Sequence, residues 1–206
     1  APDLDIFIQS EQDPLFSLEF HRQFTHSIFF IPIGGFICAS FFYYFFLKNI
    51  GISFKQVYIY CTLGYATHGF LDSATSYGTQ LFWPFSNDRI AWNTISIIDP
   101  LFTLPLIILI VLAIFKNNKT ISHYALIWVF LYHSFSYIQK NRAEDAALAL
   151  ALSREHTPVE ILAKPSFGNI LLWKTIYTTE SQYHVDAIKP FLNIHVIQGE
   201  KIDKLD

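Results

Sequence analysis

The chain has 206 residues, 52% of them hydrophobic, 17% aromatic and only 15% charged, with a formal net charge of −3. Charge falls below the roughly 25% of soluble domains, and the apolar residues gather in runs about as long as a bilayer is thick. Together these features argue against an ordinary soluble domain and for an integral membrane protein. The slight acidity gives no basis for nucleic-acid binding, and Cys38 and Cys61 have neither metal-site nor disulfide-framework spacing.

The sequence opens on Ala1-Pro2-Asp3 with no methionine and no signal-peptide pattern. The expectation is a natural start upstream, with a further helix before it. Residues 1–25 are polar and turn-rich. Asp3 and Asp5 form a D-x-D, and in an extended chain both side chains would face one ion. A helix cap or a solvated loop uses the same residues.

Residues 27–47 make the first predicted span, with Pro32 and Gly34-Gly35 inside it, as membrane helices tolerate. His21 and His26 stand at its entry. The second predicted span, 56–82, is less apolar and carries Thr62, Thr67, His68, Asp72, Ser73, Thr75 and Ser76, so it should be buried among other helices. His68 and Asp72 are four apart and share one helical face. Trp83-Pro84 ends this span.

A third span is expected over 94–115, beginning beyond Asp99-Pro100, and a fourth over 121–138 with His123 and His133. Alternating the four spans brings His21, His26, His68, Asp72 and Asp99 toward one side, with Lys48, Lys55, Lys116 and Lys119 on the cytoplasmic side by the positive-inside rule. From Lys140 the character changes. Residues 141–153 are alanine- and leucine-rich and helical, while 170–177, 182–188 and 193–197 read as strands. The predicted fold is thus an all-α helical membrane bundle of about four spans, with one more upstream, and a small C-terminal α+β extramembrane tail. The predicted domains are 1–139, carrying the metal site, and 140–206, the tail.

His21-Arg22-x-x-Thr25-His26-Ser27, His68-x-x-x-Asp72-x-x-Thr75-x-x-Gly78, Trp83-Pro84-Phe85 and Asp99-Pro100-Leu101-Phe102-Thr103 together resemble the YdjM-type family. Pro2-Asp3-Leu4-Asp5 is similar to the P-D-x-D of that family. His156-Thr157-Pro158 and the stretch from Lys164-Pro165-Ser166-Phe167-Gly168-Asn169 to Trp173 resemble its extended members. The resemblance implies a metal-dependent hydrolase of the bacterial inner membrane, with an apolar segment before the P-D-x-D.

Ionisable side chains at membrane depth are costly and mark functional sites. Asp3, Asp5, His21, His26, His68 and Asp72 are the expected metal ligands, with Asp99 a further candidate. Mixed imidazole and carboxylate donors suit zinc or manganese. So many donors also suit two ions, the usual clamp on a phosphate ester. Arg22 and Asp72 are the expected catalytic residues, Arg22 gripping an anionic group bidentately. Thr25 and Ser27 would cap the first helix or support the ligands.

Each residue also has a plainer role open to it. His68 can simply bond another helix, Asp99 can cap the helix after it, and His123, His133, His156, His184 and His195 read as structural or solvated. The function expected is hydrolysis of a phosphate ester or lipid-like substrate drawn from the bilayer. The alternatives are a metal-ion or proton transporter, and a non-catalytic membrane subunit whose tail docks a partner protein.

Overall fold

A computed structural model describes residues 2–8, 10, 12–13 and 15–204. Ala1, on which the upstream expectation turns, lies outside the described residues. The chain divides into two compact units, Ala1–Trp92 and Asn93–Asp206.

The first unit opens with a 3-10 turn, Pro2–Phe7, followed by a short helix α1, Phe16–Phe20, and two further 3-10 turns, Phe24–His26 and Ile28–Phe30. Helix α2, Ile31–Phe42, continues into a π-helical turn, Tyr43–Leu47. The Ser27 hydroxyl accepts the Phe30 N–H at the head of this stretch, and a proline sits in the first turn of α2, where no N–H is missed. Helix α3, Phe54–Ala74, starts with a capping box in which Ser53 and Gln56 satisfy each other's backbone N–H groups.

Helices α2 and α3 are close neighbours because Gly34 faces the Tyr65 ring and Gly35 faces Thr62, with no room for a Cβ at either position. Small residues of this kind let helix backbones approach where apolar surroundings give no other drive to associate.

In the second unit, Asp99 caps α4, Pro100–Phe115, by accepting the Phe102 N–H. Asn118 caps α5, Lys119–Ser153. The 35-residue α5 runs unbroken through Lys140. Four strands follow, β1 (Glu160–Pro165), β2 (Trp173–Thr178), β3 (Gln182–Lys189) and β4 (His195–Asp203), forming an antiparallel sheet in sequence order. The register pairs Ala163 with Thr175 and Ile176 with Val185, and a bulge at Asp186 interrupts the pairing of β3 with β4. Ala143, Ala146, Ala147 and Ala151 of α5 are buried, as are Ala163, Trp173, Tyr177 and Ile188 of the sheet. Small alanine side chains let the sheet lie close on the helix. Strand β4 is exposed along its whole length.

This architecture corrects the expected four-span, all-helical bundle. Among the described residues one stretch, Ile28–Leu47, is a helix long and apolar enough to cross a bilayer. The second expected span loses residues 75–82, because α3 stops at Ala74, and what remains is diluted by polar groups. The third begins only at Pro100 and leaves a 16-residue helix, short of the ~20 residues a span needs. The fourth belongs to α5, where Ser122, His123, His133, Ser134 and Ser136 dilute the apolar run. The side assignments built on alternating four spans fall with it. The apolar runs were real, but a run in sequence need not be one helix. Strand β1 was missed, since Glu160–Pro165 is short and carries no strong strand formers beyond Ile161.

Candidate metal centre

The 3-10 turn Pro2–Phe7 turns successive residues by about 120°, so Asp3 and Asp5 point different ways. This differs from the extended D-x-D expected from sequence. The Asp3 side chain is half exposed, while Asp5 is buried. Further on, Arg22 adopts a left-handed backbone conformation, φ 61°, and the chain winds into the turn Phe24–His26 that delivers Thr25 and His26. His26 is 1% exposed. Its main chain is pinned from α3: the Tyr65 hydroxyl donates to the Thr25 carbonyl at 2.8 Å. A Cβ at position 69 would stand 3.0 Å from the His26 carbonyl oxygen, so Gly69 lets the helix close on that segment. His68 and Asp72, one turn apart on α3, then face His26.

Four donors converge. His26 Nε2 lies 3.0 Å from Asp72 Oδ2 and 3.3 Å from Asp3 Oδ1. His68 Nε2 lies 3.0 Å from Asp3 Oδ2 and 3.2 Å from Asp72 Oδ2. One ligand atom from each of Asp3, His26, His68 and Asp72 falls within 4.8 Å of every other. Yet His68 Nε2 and Asp72 Oδ2, both buried, make no hydrogen bond among the described residues. These two atoms stand 3.0 to 3.2 Å from neighbouring ligand atoms without the alignment of a hydrogen bond, whereas His26 Nε2 and Asp3 Oδ1 have it at 3.3 Å. That arrangement fits a cation, and an unpartnered buried polar pair is otherwise costly. Two imidazoles and two carboxylates form a donor set that zinc or manganese accepts. Burial works to raise the Asp3 pKa, but the His68 and His26 imidazoles outweigh it and hold the carboxyl below its usual 3.8.

Asp5 and His21 lie outside that group of four. Asp5 Oδ1 pairs with His21 Nδ1 at 2.8 Å. Asp5 Oδ2 accepts the Arg22 N–H at 3.1 Å and the Thr25 hydroxyl at 2.6 Å, and lies 3.4 Å from His26 Nδ1. Arg22 is itself buried. Its Nη2 lies 3.2 Å from Asp72 Oδ1, its Nη1 donates to the Thr75 hydroxyl at 2.9 Å, and its guanidinium sits over the Tyr77 ring. The guanidinium fork expected to grip an anion thus holds Asp72, and only Nε has no hydrogen-bond partner among the described residues.

Asp99, in the second unit, caps α4 and accepts the Tyr132 hydroxyl at 2.7 Å. Both of its oxygens are therefore engaged. His133 Nδ1 donates to the Val129 carbonyl on its own helix, and His123 is exposed. His156 bonds Tyr177, His184 stacks on the same ring, and His195 is exposed.

Three supports of the site carry little signal in the sequence. Tyr65 and Gly69 fix the His26 segment from α3, and a glycine directly after His68 in a helix was the available signal. Arg89 ties the surrounding loops by donating to the carbonyls of Glu19, His21 and Gly78. Beside Asp88 in a loop, it reads from sequence as an ordinary solvated charge.

The model of the family described as YdjM inner membrane protein matches residues 1–143, which include every residue of this cluster. Among curated proteins, the "Uncharacterized protein YfhP" of Bacillus subtilis (strain 168) is 30% identical over 100 residues. That alignment covers 48% of this chain and 29% of the relative, so the chain spans less than a third of that protein. No solved structure matches the chain.

Proposed function

The chain belongs to the YdjM inner membrane protein family, and from that premise we propose that it is a metal-dependent hydrolase acting on a phosphate ester or lipid-like substrate. The observation that carries the reading is the gathering of Asp3, His26, His68 and Asp72, one ligand atom from each within 4.8 Å of the others, with two buried atoms that make no hydrogen bond among the described residues. Bound there, a divalent ion would supply Lewis acidity toward the ester and a more acidic water, so no serine or cysteine nucleophile is needed.

The protein's own groups divide the remaining work. His26 and Asp72 form the closed back of the site, their side chains 0% and 14% exposed, while Asp3 and His68, at 53% and 34%, form its open side. Substrate enters past Asp3 and His68. Arg22 holds Asp72 Oδ1 and so leaves Oδ2 turned toward the imidazoles. Its Nε–H, buried and without a hydrogen-bond partner among the described residues, keeps positive charge beside the site, which favours an anionic substrate. Leu4 and Phe7, on the same turn as Asp3, are strongly exposed, which suits an amphiphilic substrate reached at a bilayer surface.

A transport path needs ligands at successive depths, whereas these four donors lie within 4.8 Å of one another, which favours hydrolysis. The test is elemental analysis of purified protein together with hydrolysis assays on a panel of phosphate esters and phospholipids. The expected result is bound metal and activity in the wild type, and loss of both in Asp72→Asn. Metal bound without activity on any substrate would favour the non-catalytic subunit, and near-zero metal in both proteins under metal-replete conditions would end the proposal.

A further inference from the structure

Resting on the metal reading above, we infer that Asp5 is a positioning residue: through Thr25 it fixes which nitrogen of His26 faces the site. Thr25 has a single hydroxyl proton, and it goes to Asp5 Oδ2 at 2.6 Å. The same oxygen of Thr25 lies 2.9 Å from His26 Nδ1. With its proton committed, Thr25 can only accept there, so Nδ1 is the protonated nitrogen of His26. Asp5 Oδ2, 3.4 Å from the same Nδ1, favours that tautomer further. The other nitrogen, Nε2, faces Asp72 and Asp3, with Asp3 Oδ1 in hydrogen-bond range at 3.3 Å, and is the one left to give its lone pair to an ion held there.

Asp5 is suited to this work and unsuited to ligation. It is 3% exposed, and both oxygens already accept: Oδ1 from His21, Oδ2 from the Arg22 N–H and the Thr25 hydroxyl. Its charge also makes the imidazole a stronger donor to a cation. Partners of this kind typically change metal affinity about 10- to 100-fold without being ligands. One ion would then be held by the four residues of this pocket, with Asp5 and His21 behind them.

Calorimetric titration of the intact, detergent-purified protein with Zn²⁺ alone, and with Mn²⁺ alone, tests this. Asp5→Ala frees the Thr25 proton to donate to His26 Nδ1, which moves the ring proton to Nε2 and into the site. Affinity should fall about 100-fold while the number of ions bound per chain stays the same. Adding Thr25→Val to Asp5→Ala removes the wrong donor and should recover part of the loss, which a purely structural role for Asp5 would not produce. Asp5→Asn keeps an acceptor for Thr25 and should cost only about 10-fold. It also carries the test should Asp5→Ala fail to fold.

Wild-type affinity in Asp5→Ala or Asp5→Asn would overturn the inference, as would a double variant no better than Asp5→Ala. Loss of the bound ion altogether, as expected for Asp72→Asn, would make Asp5 a ligand and overturn it too. A wild-type protein that binds neither ion would instead remove the metal reading on which the inference rests.

Discussion

Asp72 reaches three partners at once: Arg22 through Oδ1, and the imidazoles of His26 and His68 through Oδ2. Its loss exposes the logic of the site. Asp72→Asn keeps the volume but removes the charge that balances Arg22. Beyond losing metal, it should destabilise the protein by about 3 kcal/mol, because a buried guanidinium is left without its counter-charge. Chemical denaturation of the two proteins measures this. Gly69→Ala is a gentler probe. Alanine improves helix propensity by up to about 1 kcal/mol, but its Cβ would meet the His26 carbonyl at 3.0 Å. The expected outcome is near-neutral stability with metal affinity reduced several-fold, read by the same titrations. Residue types and spacing put His26, His68 and Asp72 within reach of sequence reasoning. The different tasks of Asp3 and Asp5 were out of reach, because they depend on a 3-10 turn that sends the two carboxylates apart.

At the scale of elements, the pairing of α2 with α3 rests on glycine. Gly35→Val would drive a branched side chain into Thr62 and should cost about 1–3 kcal/mol by overpacking, with a matching loss of metal affinity as α3 moves away from the His26 segment. The sheet carries a pH dependence of its own. Burial depresses the His184 pKa below its usual 6.5, and the neighbouring His156 and Arg154 depress it further. In the window below pH 6.5 the unfolded chain therefore binds more protons than the folded one. The contribution of this ring to stability is full above that pH and declines as the solution is acidified.

Asp186 adds to the effect only at lower pH. Burial raises its pKa, but hydrogen bonds from Arg154 and Gly199 outweigh it and bring it below 3.8. Hydrogen exchange of the β2 and β3 amides should accelerate as pH falls from 7 toward 5, after correction for intrinsic rates. The acceleration should be weaker in His184→Phe, which keeps an aromatic ring beside Tyr177. Strand β3 was legible because its residues alternate between buried and more open positions, as a half-covered strand requires, while β2 and β4 were read with looser bounds, 170–177 against Trp173–Thr178 and 193–197 against His195–Asp203. Strand β1 was not legible, since it gains its place from pairing with β2 rather than from its own composition.

For the whole molecule, the metal should act as a ligand that binds only the folded state. Free ion at 100 times its dissociation constant stabilises by about 2.7 kcal/mol. A chelator should therefore lower the thermal midpoint of the first unit measurably, and adding back Zn²⁺ or Mn²⁺ should restore it. In Asp72→Asn the chelator should have no effect.

What the amino-acid sequence determined by itself was the local and compositional part: an apolar stretch long enough to span a bilayer at 28–47, two helical neighbours four residues apart at His68 and Asp72, the alternation of strand β3, and the motifs shared with the YdjM inner membrane family. These depend on spacing along the chain, which periodicity reads directly. Only the tertiary structure decided how many apolar runs become helices of spanning length, and which acidic residues face His26. Both depend on where a helix stops and on which way a turn points a side chain. Those outcomes are fixed by packing against residues 40 or more positions away, as Tyr65 and Gly69 fix the segment of Thr25 and His26.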